Sequence, residues 1–441
     1  MSRVARRRGV AFPRRHHGMD SQIDLQQPVI DGGIRSVNFF NGRMLTARDL
    51  TREQAANREV DRRLGQAAGE GVVYGLEVSK STTSTNAAPV VAVEKGLAVN
   101  RNGQTLWLRD RTEVALVRRA SASVAGITFS ECLPLQSGTY VAGAGVYLLT
   151  VAPAETREGR AVTNALDTGG APCNTDAVVS AVQFRLIQID PPITTAELQN
   201  EKHLRNLIAY KCFGVADTGS FLSDPLGTEL KKYGLLDSLR PNQLTDCDVP
   251  LGVLYWTLTD GIKFVDMWSV RRRLTDRSWS GRWSYFVDDR RPSEGEAMFL
   301  QFQDQVGALS AATSNPQSLK AADHFIQLPA VGLIPLATET SAPGFDYRKF
   351  FQDETYREPR FMEGARLQRL IQESFFYPPL TLGSGETIWL YQVRQNMQAI
   401  AEGRGTPQPC LIFSSGHMPY YGEARFDLNR YNYSNYSSVY D

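Results

Sequence analysis

From Ala47 to Leu64 the chain has neither glycine nor proline, and both ends of this run carry helix signals, so the flanking sequence has to be accommodated around it. Thr46 stands three residues before Asp49. In such a capping pair the hydroxyl accepts from an early helix N–H and the carboxylate reaches back to the cap. Asp49 and Glu53 fall in the first turns and Arg62 and Arg63 near the end, as the helix dipole favours. The spacing predicts a helix from Ala47 to about Leu64.

At 100° per residue, Leu50, Ala56, Val60, Leu64, Ala67 and Ala68 share one arc, with Glu53 and Asn57 inside it. The stripe is thin, so the helix buries little by itself and is expected to lie on a neighbouring subunit or a β-layer. An Asn within an apolar stripe either fixes register between helices or bonds to nearby polar groups at a wet edge. Gly65, Gly69, Gly71 and Gly75 then end the helix and lead into the β-rich run Val72 to Val78. Gly69 and Gly71 do not make a dinucleotide loop. That loop needs a strand before it, a helix after it and a third glycine, and residue 74 is Tyr.

The run Asn38-Phe39-Phe40-Asn41-Gly42, then Leu45-Thr46-Ala47-Arg48-Asp49-Leu50, the charged helix, and Gly71-Val72-Val73-Tyr74-Gly75-Leu76-Glu77-Val78 resemble a family of bacterial proteins encoded with phage-tail-like contractile injection particles. The similarity is clearest over residues 35 to 110 and includes Glu94-Lys95-Gly96-Leu97-Ala98-Val99-Asn100 and Gly103. The family usually has Pro-Gly before that strand and an Asp after it, where this chain has Lys95 and Asn100. The resemblance implies an accessory baseplate or exterior component. Its motifs are glycines, caps and core residues, so it carries over no catalytic role.

A chain of 441 residues can hold several domains, and 42% hydrophobic with 22% charged residues is an ordinary globular composition. Arg3, Arg6, Arg7, Arg8, Arg14 and Arg15 crowd the first seventeen residues without an acid, which leaves 42 basic against 47 acidic residues in the remainder. With little aromatic interleaving and a mildly acidic body, this sequence reads as a docking or mobile arm, and nucleic acid is not the expected partner. No apolar run reaches membrane-span length or forms a secretory h-region. Cys132, Cys173, Cys212, Cys247 and Cys410 are odd in number and form no C-x-x-C pair, so they read as reduced thiols of a chain made in the cytoplasm. Such a chain would reach the exterior by lysis or within a particle.

The expected fold class is α+β: β-rich and multidomain, with antiparallel sheets or sandwiches, the capped N-terminal helix and further peripheral helices. The expected segments are a basic arm over residues 1–30, the organising helix and first strand over 31–80, a β-rich domain over 81–245, a mixed α/β domain over 246–419, and a Tyr/Asn/Ser-rich tail over 420–441. Asn102-Gly103 and Asp260-Gly261, each between short β-branched runs, are hairpin turns. Glu155 to Asn174 reads as a polar loop and Val178 to Ile189 as a strand. Glu197 to Tyr210 reads as one helix, and Pro292 to Leu309 as another, with Ser293 and Glu296 as its capping box. Arg271, Arg272 and Arg273 read as an ion-paired or solvated surface with the charge to bind an anion.

No P-loop, zincin, nucleophile-elbow or EF-hand pattern occurs, and His16, His17, His203, His324 and His417 have no metal-ligand spacing. No catalytic, cofactor-binding or metal residue is therefore expected. Asp288, Asp289, Glu294 and Glu296 stand beside arginines or a helix start and read as solvated pairs or caps. The candidate assembly residues are Phe39, Phe40, Leu50, Asn57, Val60 and Leu64, the arm's Arg6, Arg7 and Arg8, and the tail's Tyr431, Tyr433 and Tyr436, the tail having a paratope-like composition. The reading is a homo-oligomeric, trimeric structural subunit that binds other baseplate or tail-particle proteins. The alternative is a particle-borne glycan-binding module or hydrolase with its site in the C-terminal block.

Overall fold

The computed structural model describes residues 32–116, 145–159, 176–190, 193–215, 234–240, 242–275, 290–337, 344–362, 367–393 and 409–416, with Leu25, Val29, Gly364 and short pieces at 127–128, 161–162 and 173–174. The arm's Arg6, Arg7 and Arg8, the tail's Tyr431, Tyr433 and Tyr436, and Asp288, Asp289 and His417 lie outside the described residues. The chain forms two compact units, Met1–Val60 and Asp61–Asp441. Its class is α+β, with several antiparallel sheets, the N-terminal helix and further helices. No helix among the described residues is long and apolar enough to cross a membrane.

Helix α1 (Ala47–Ala68) starts where its cap places it but runs past Leu64, so Gly65 does not break it. The reason is non-local. Gly65 lies against the backbone of Gly103, a Cβ on either glycine would collide with the other segment, and Gln66 Nε2 donates to the Asn102 carbonyl at 3.4 Å. Gly65 is thus the point where helix and hairpin turn touch backbone to backbone.

Strands β1 (Gly71–Gly75), β2 (Val78–Lys80), β3 (Val90–Val93), β4 (Gly96–Val99), β5 (Thr105–Leu108) and β6 (Thr112–Ala115) build two three-stranded antiparallel sheets, ordered β1-β4-β5 and β2-β3-β6. Asn102-Gly103 closes the β4–β5 hairpin, with Gly103 at φ +78° as such a turn requires. Next come β7 (Ile127–Thr128), β8 (Gly145–Glu158), β9 (Ala161–Val162), β10 (Cys173–Asn174), β11 (Ala177–Ile189), β12 (Val249–Thr257) and β13 (Gly261–Asp266). Of these, β11-β8-β12-β13 form one sheet with β7 beside β8, and β9 pairs with β10. This sheet takes strands from both sides of residue 246. The expected polar loop from Glu155 is strand as far as Glu158, because β11 supplies a partner for every residue, ending with Ala177 opposite Glu158. The three sheets share one core, in which Leu76, Val91, Val93, Ala98 and Leu106 meet Leu149, Leu251, Leu254 and Trp256.

Between β1 and β2 the backbone turns through two left-handed residues, Gly75 at φ +62° and Leu76 at φ +58°. A leucine there is strained, since its Cβ crowds the backbone. Its side chain is fully buried, and the carbonyls of Gly75 and Leu76 both accept from the Arg271 guanidinium, at 2.5 and 2.9 Å. Arg271 is only 7% exposed, which corrects the surface reading of the Arg271–Arg273 run. Arg272 donates to the carbonyls of Trp268 and Ser269 and lies over the Phe213 ring, and Arg273 pairs with Glu296 at 2.9 Å. Arg271 also lies 3.9 Å from Glu77, so the ion-paired expectation holds for Arg273 and in part for Arg271.

Helices α2 (Thr195–Gln199) and α3 (Glu201–Phe213) replace the single helix expected over 197–210. Thr194 and Glu197 form the capping box of α2. The chain then departs from helical geometry at Asn200, whose carbonyl accepts from His203 and Leu204 to start α3. Leu204, Leu207, Ile208 and Phe213 are buried while Leu198 on α2 is exposed, so only α3 contributes to the core.

The C-terminal region packs the helix Arg290–Ala312 against a sheet of β15 (Val331–Pro335), β19 (Cys410–Ser414), β18 (Trp389–Val393) and β16 (Arg360–Met362), with β14 (Gln327–Leu328) paired to β17 (Leu380–Thr381). Its core is aromatic, with Phe302, Phe325, Phe345, Phe350, Phe351 and Phe413 largely edge to face. The helix starts at Arg290, three residues before the expected cap. Pro292 is tolerated in the first turn, where a helix N–H has no intrahelical partner. Ser293 is therefore interior and buried, and Glu296 pairs with Arg273 instead of closing a capping box.

Candidate functional site

Residues 37 to 53 form a small turn tied by side-chain bonds to the start of α1. The Arg43 N–H donates to the Phe40 carbonyl at 3.1 Å, closing a turn with Asn41 and Gly42 at its centre. Gly42 takes φ +87°, the conformation that makes glycine the residue of choice at the third position of a type II turn. The turn is tied to the start of α1. Arg43 Nη2 reaches Asp49 Oδ1 at 2.6 Å, Arg43 Nη1 reaches the Asn38 carbonyl at 2.6 Å, and the Val37 N–H donates to Glu53 Oε2 at 3.0 Å. Glu53, an acid inside the apolar arc, is thereby explained as a tether.

The cap forms as its sequence implies. The Thr46 hydroxyl accepts from the Asp49 N–H at 3.2 Å, and Asp49 Oδ2 accepts from the Thr46 hydroxyl and N–H at 2.7 and 3.1 Å. These bonds to Thr46, aided by Arg43, hold the Asp49 carboxyl down at about 2.

The turn holds Phe39 and Phe40 exposed, with the Arg43 guanidinium 5.9 Å from the Phe40 ring centroid. Along α1, Leu50 is 53% exposed, Val60 44% and Leu64 65%, and Asn57 is also exposed; Ala56 is the buried residue of the helix. The structure thus brings Phe39 and Phe40 onto one turn and leaves Leu50, Val60 and Leu64 uncovered along the helix. Sequence reasoning missed Arg43 as the tether. Its only local hint is an arginine placed shortly before an acid in a helix's first turn.

Among the described residues, the buried carboxylates Asp248, Asp266 and Glu294 are engaged in structural bonds. Asp248 accepts from Arg185 at 2.5 Å, Thr150 at 3.0 Å and the Thr245 N–H at 2.9 Å; Asp266 accepts from Arg205 at 2.7 Å, Gln301 at 3.1 Å and the Ser269 N–H at 2.9 Å. Glu294, expected to be solvated, is buried beside Arg290 at 3.0 Å. Burial raises its pKa above the ordinary range although the nearby arginines oppose this. His203 bonds Asn200 and the Ala322 carbonyl, and the His324 pKa is lowered by burial and then by Lys202. Cys212 is buried with its thiol pushed up to about 12, and Cys410 is also free. Cys247, however, is disulfide-bonded, which corrects the expectation of five reduced thiols.

A shallow groove of about 450 Å³ runs along the helix Arg290–Ala312, where Gln303, Val306, Ser310, Pro335 and Phe345 line it without an ionisable side chain. Among the described residues no group of three or more His, Cys, Asp or Glu side chains is placed to hold a metal ion. Compared with known proteins, the chain matches no family model, and no curated protein is significantly similar to it.

Proposed function

We propose that the chain is a structural subunit of a phage-tail-like contractile injection particle, at the baseplate or its exterior, and that it acts by assembling with copies of itself and with other particle proteins. The observation that carries this reading is the uncovered apolar set Phe39, Phe40, Leu50, Val60 and Leu64, presented by a turn and a helix that local bonds keep ordered. The resemblance of residues 35 to 110 names the kind of particle. Full burial of a Leu, Val or Phe side chain contributes about 1.5–3 kcal/mol. Several together offset the several kcal/mol that association costs in lost rigid-body freedom. The chain is made in the cytoplasm and leaves it within the particle, as a trimer.

Light scattering on the full-length protein tests this. The expected result is a mass three times the chain's 49.0 kDa, reduced to that of one chain by the double substitution Leu50→Glu and Leu64→Glu. A monomer at every concentration, indifferent to that double substitution, overturns self-assembly.

A further inference from the structure

The sheet β1-β4-β5 has two faces of opposite character. Val72, Ala98 and Leu106 are in register across the three strands, and all are buried in the shared core. The next row, Tyr74, Leu97 and Trp107, is also in register and points the other way: Tyr74 is 53% exposed, Trp107 60%, and Leu97 lies half-buried between them. Neither aromatic is needed by the core, and the two stand two strands apart, ~9.5 Å by strand spacing. Tight backbone packing stiffens the platform, since a Cβ on Gly75 or Gly96 would collide with the neighbouring strand.

Charge decides what such a platform can take. Beyond the row Gly75, Gly96 and Leu108, the rim carries Lys95, Arg109 and Arg111 against Glu77, Glu94 and Asp110, with Arg111 paired to Glu94 at 3.1 Å and Arg109 to Asp110 at 3.9 Å. The signs balance, so the rim does not select a polyanion such as nucleic acid, which needs clustered cations. A few apolar side chains, Val73 at 44% exposure beside Tyr74, Leu97 and Trp107, with charges of both signs paired at one end, are a poor match to a lipid surface. A face, unlike a sheet edge, offers no main-chain pairing to a peptide strand. A chain of pyranose rings suits it: the C–H faces of the sugar are drawn to the negative faces of the aromatic rings, and its hydroxyls meet donors and acceptors at the rim.

We propose that the outer face of the β1-β4-β5 sheet is a binding site for a neutral oligosaccharide, with Tyr74 and Trp107 as stacking platforms. The proposal does not rest on the assembly reading, because a monomer that binds sugar keeps this inference and loses that one.

Calorimetric titration of the full-length protein with cellohexaose and with chitohexaose tests it. At least one hexasaccharide is expected to bind saturably and independently of salt. Trp107→Ala and Tyr74→Ala should each weaken binding about tenfold or more, and Trp107→Phe, which keeps a ring face, should retain most of it. Circular dichroism checks that each variant folds. Failure of both sugars to bind, loss of binding in high salt, or binding that survives both Trp107→Ala and Tyr74→Ala overturns the proposal. Failure of both sugars together with a Trp107→Ala variant of lower mass identifies the face as a contact between copies, which also overturns it.

Discussion

Helix α1 spans 22 residues and buries a single side chain, Ala56, whereas α3 spans 13 and buries eight. The two are ordered by different physics. Helix α3 is fixed by what it packs on, with Leu204, Ile208 and Cys212 in one apolar cluster and Tyr210 and Phe213 in another. Helix α1 is fixed at its ends, by Thr46, Asp49, Arg43 and Glu53 at the start and by the contact of Gly65 with Gly103 near the finish. A helix held at its ends keeps its sides available, as a presented surface requires.

Substitutions break or sharpen this contrast. The largest loss is expected from Phe213→Ala in α3, about 3–5 kcal/mol for a buried aromatic, measured by urea denaturation. Gly103→Ala comes next, at roughly 1–3 kcal/mol, because the new Cβ collides with the Arg62 carbonyl at a residue already in the left-handed region. Hydrogen exchange should localise that loss to residues 61–68 and leave α3 protected. Equal loss of protection in α3 would mean that the two helices are not independent.

Acid probes the other end of α1. The Asp49 pKa is lowered from 3.8 to about 2 in the folded chain, so the cap's contribution is complete above about pH 4 and is lost as pH falls through about 2. Amide protection over residues 47–53 should fall in that window, and Thr46→Ala should weaken the dependence, leaving the part carried by the backbone N–H of residue 46 and by Arg43. The smallest effect is expected for Leu64→Ala, within about 0.5 kcal/mol by urea denaturation, as for surface positions generally. A loss comparable to that of Phe213→Ala would show that Leu64 is covered within the folded monomer.

What could be read from sequence is what short-range chemistry determines. Asn102-Gly103 and Asp260-Gly261 specify hairpins through residues that tolerate positive φ, and Thr46 with Asp49 specifies a helix start, all within a few residues. The misses depend on distant partners. Helix α1 continues through Gly65 because of Gly103, Glu155–Glu158 become strand because β11 lies beside them, and Arg271 is buried because two carbonyls near residue 75 need a donor. In the candidate site, the exposed stripe on α1 was legible because its residues recur at helical spacing. The Tyr74, Leu97 and Trp107 row was not, because a register across three strands has no signature in one dimension.

The clamp on Leu76 also constrains how the protein is made. Arg271 reaches back across 195 positions to the Leu76 carbonyl, and Arg272 and Thr275 return to hydrogen-bond Val72 and Glu70. On the ribosome, the turn between β1 and β2 therefore waits for most of two hundred further residues before its strained backbone is secured. Vectorial synthesis delivers the residues of the first two sheets long before Arg271, and a nascent chain halted before residue 271 carries an unclamped turn at the junction of β1 and β2.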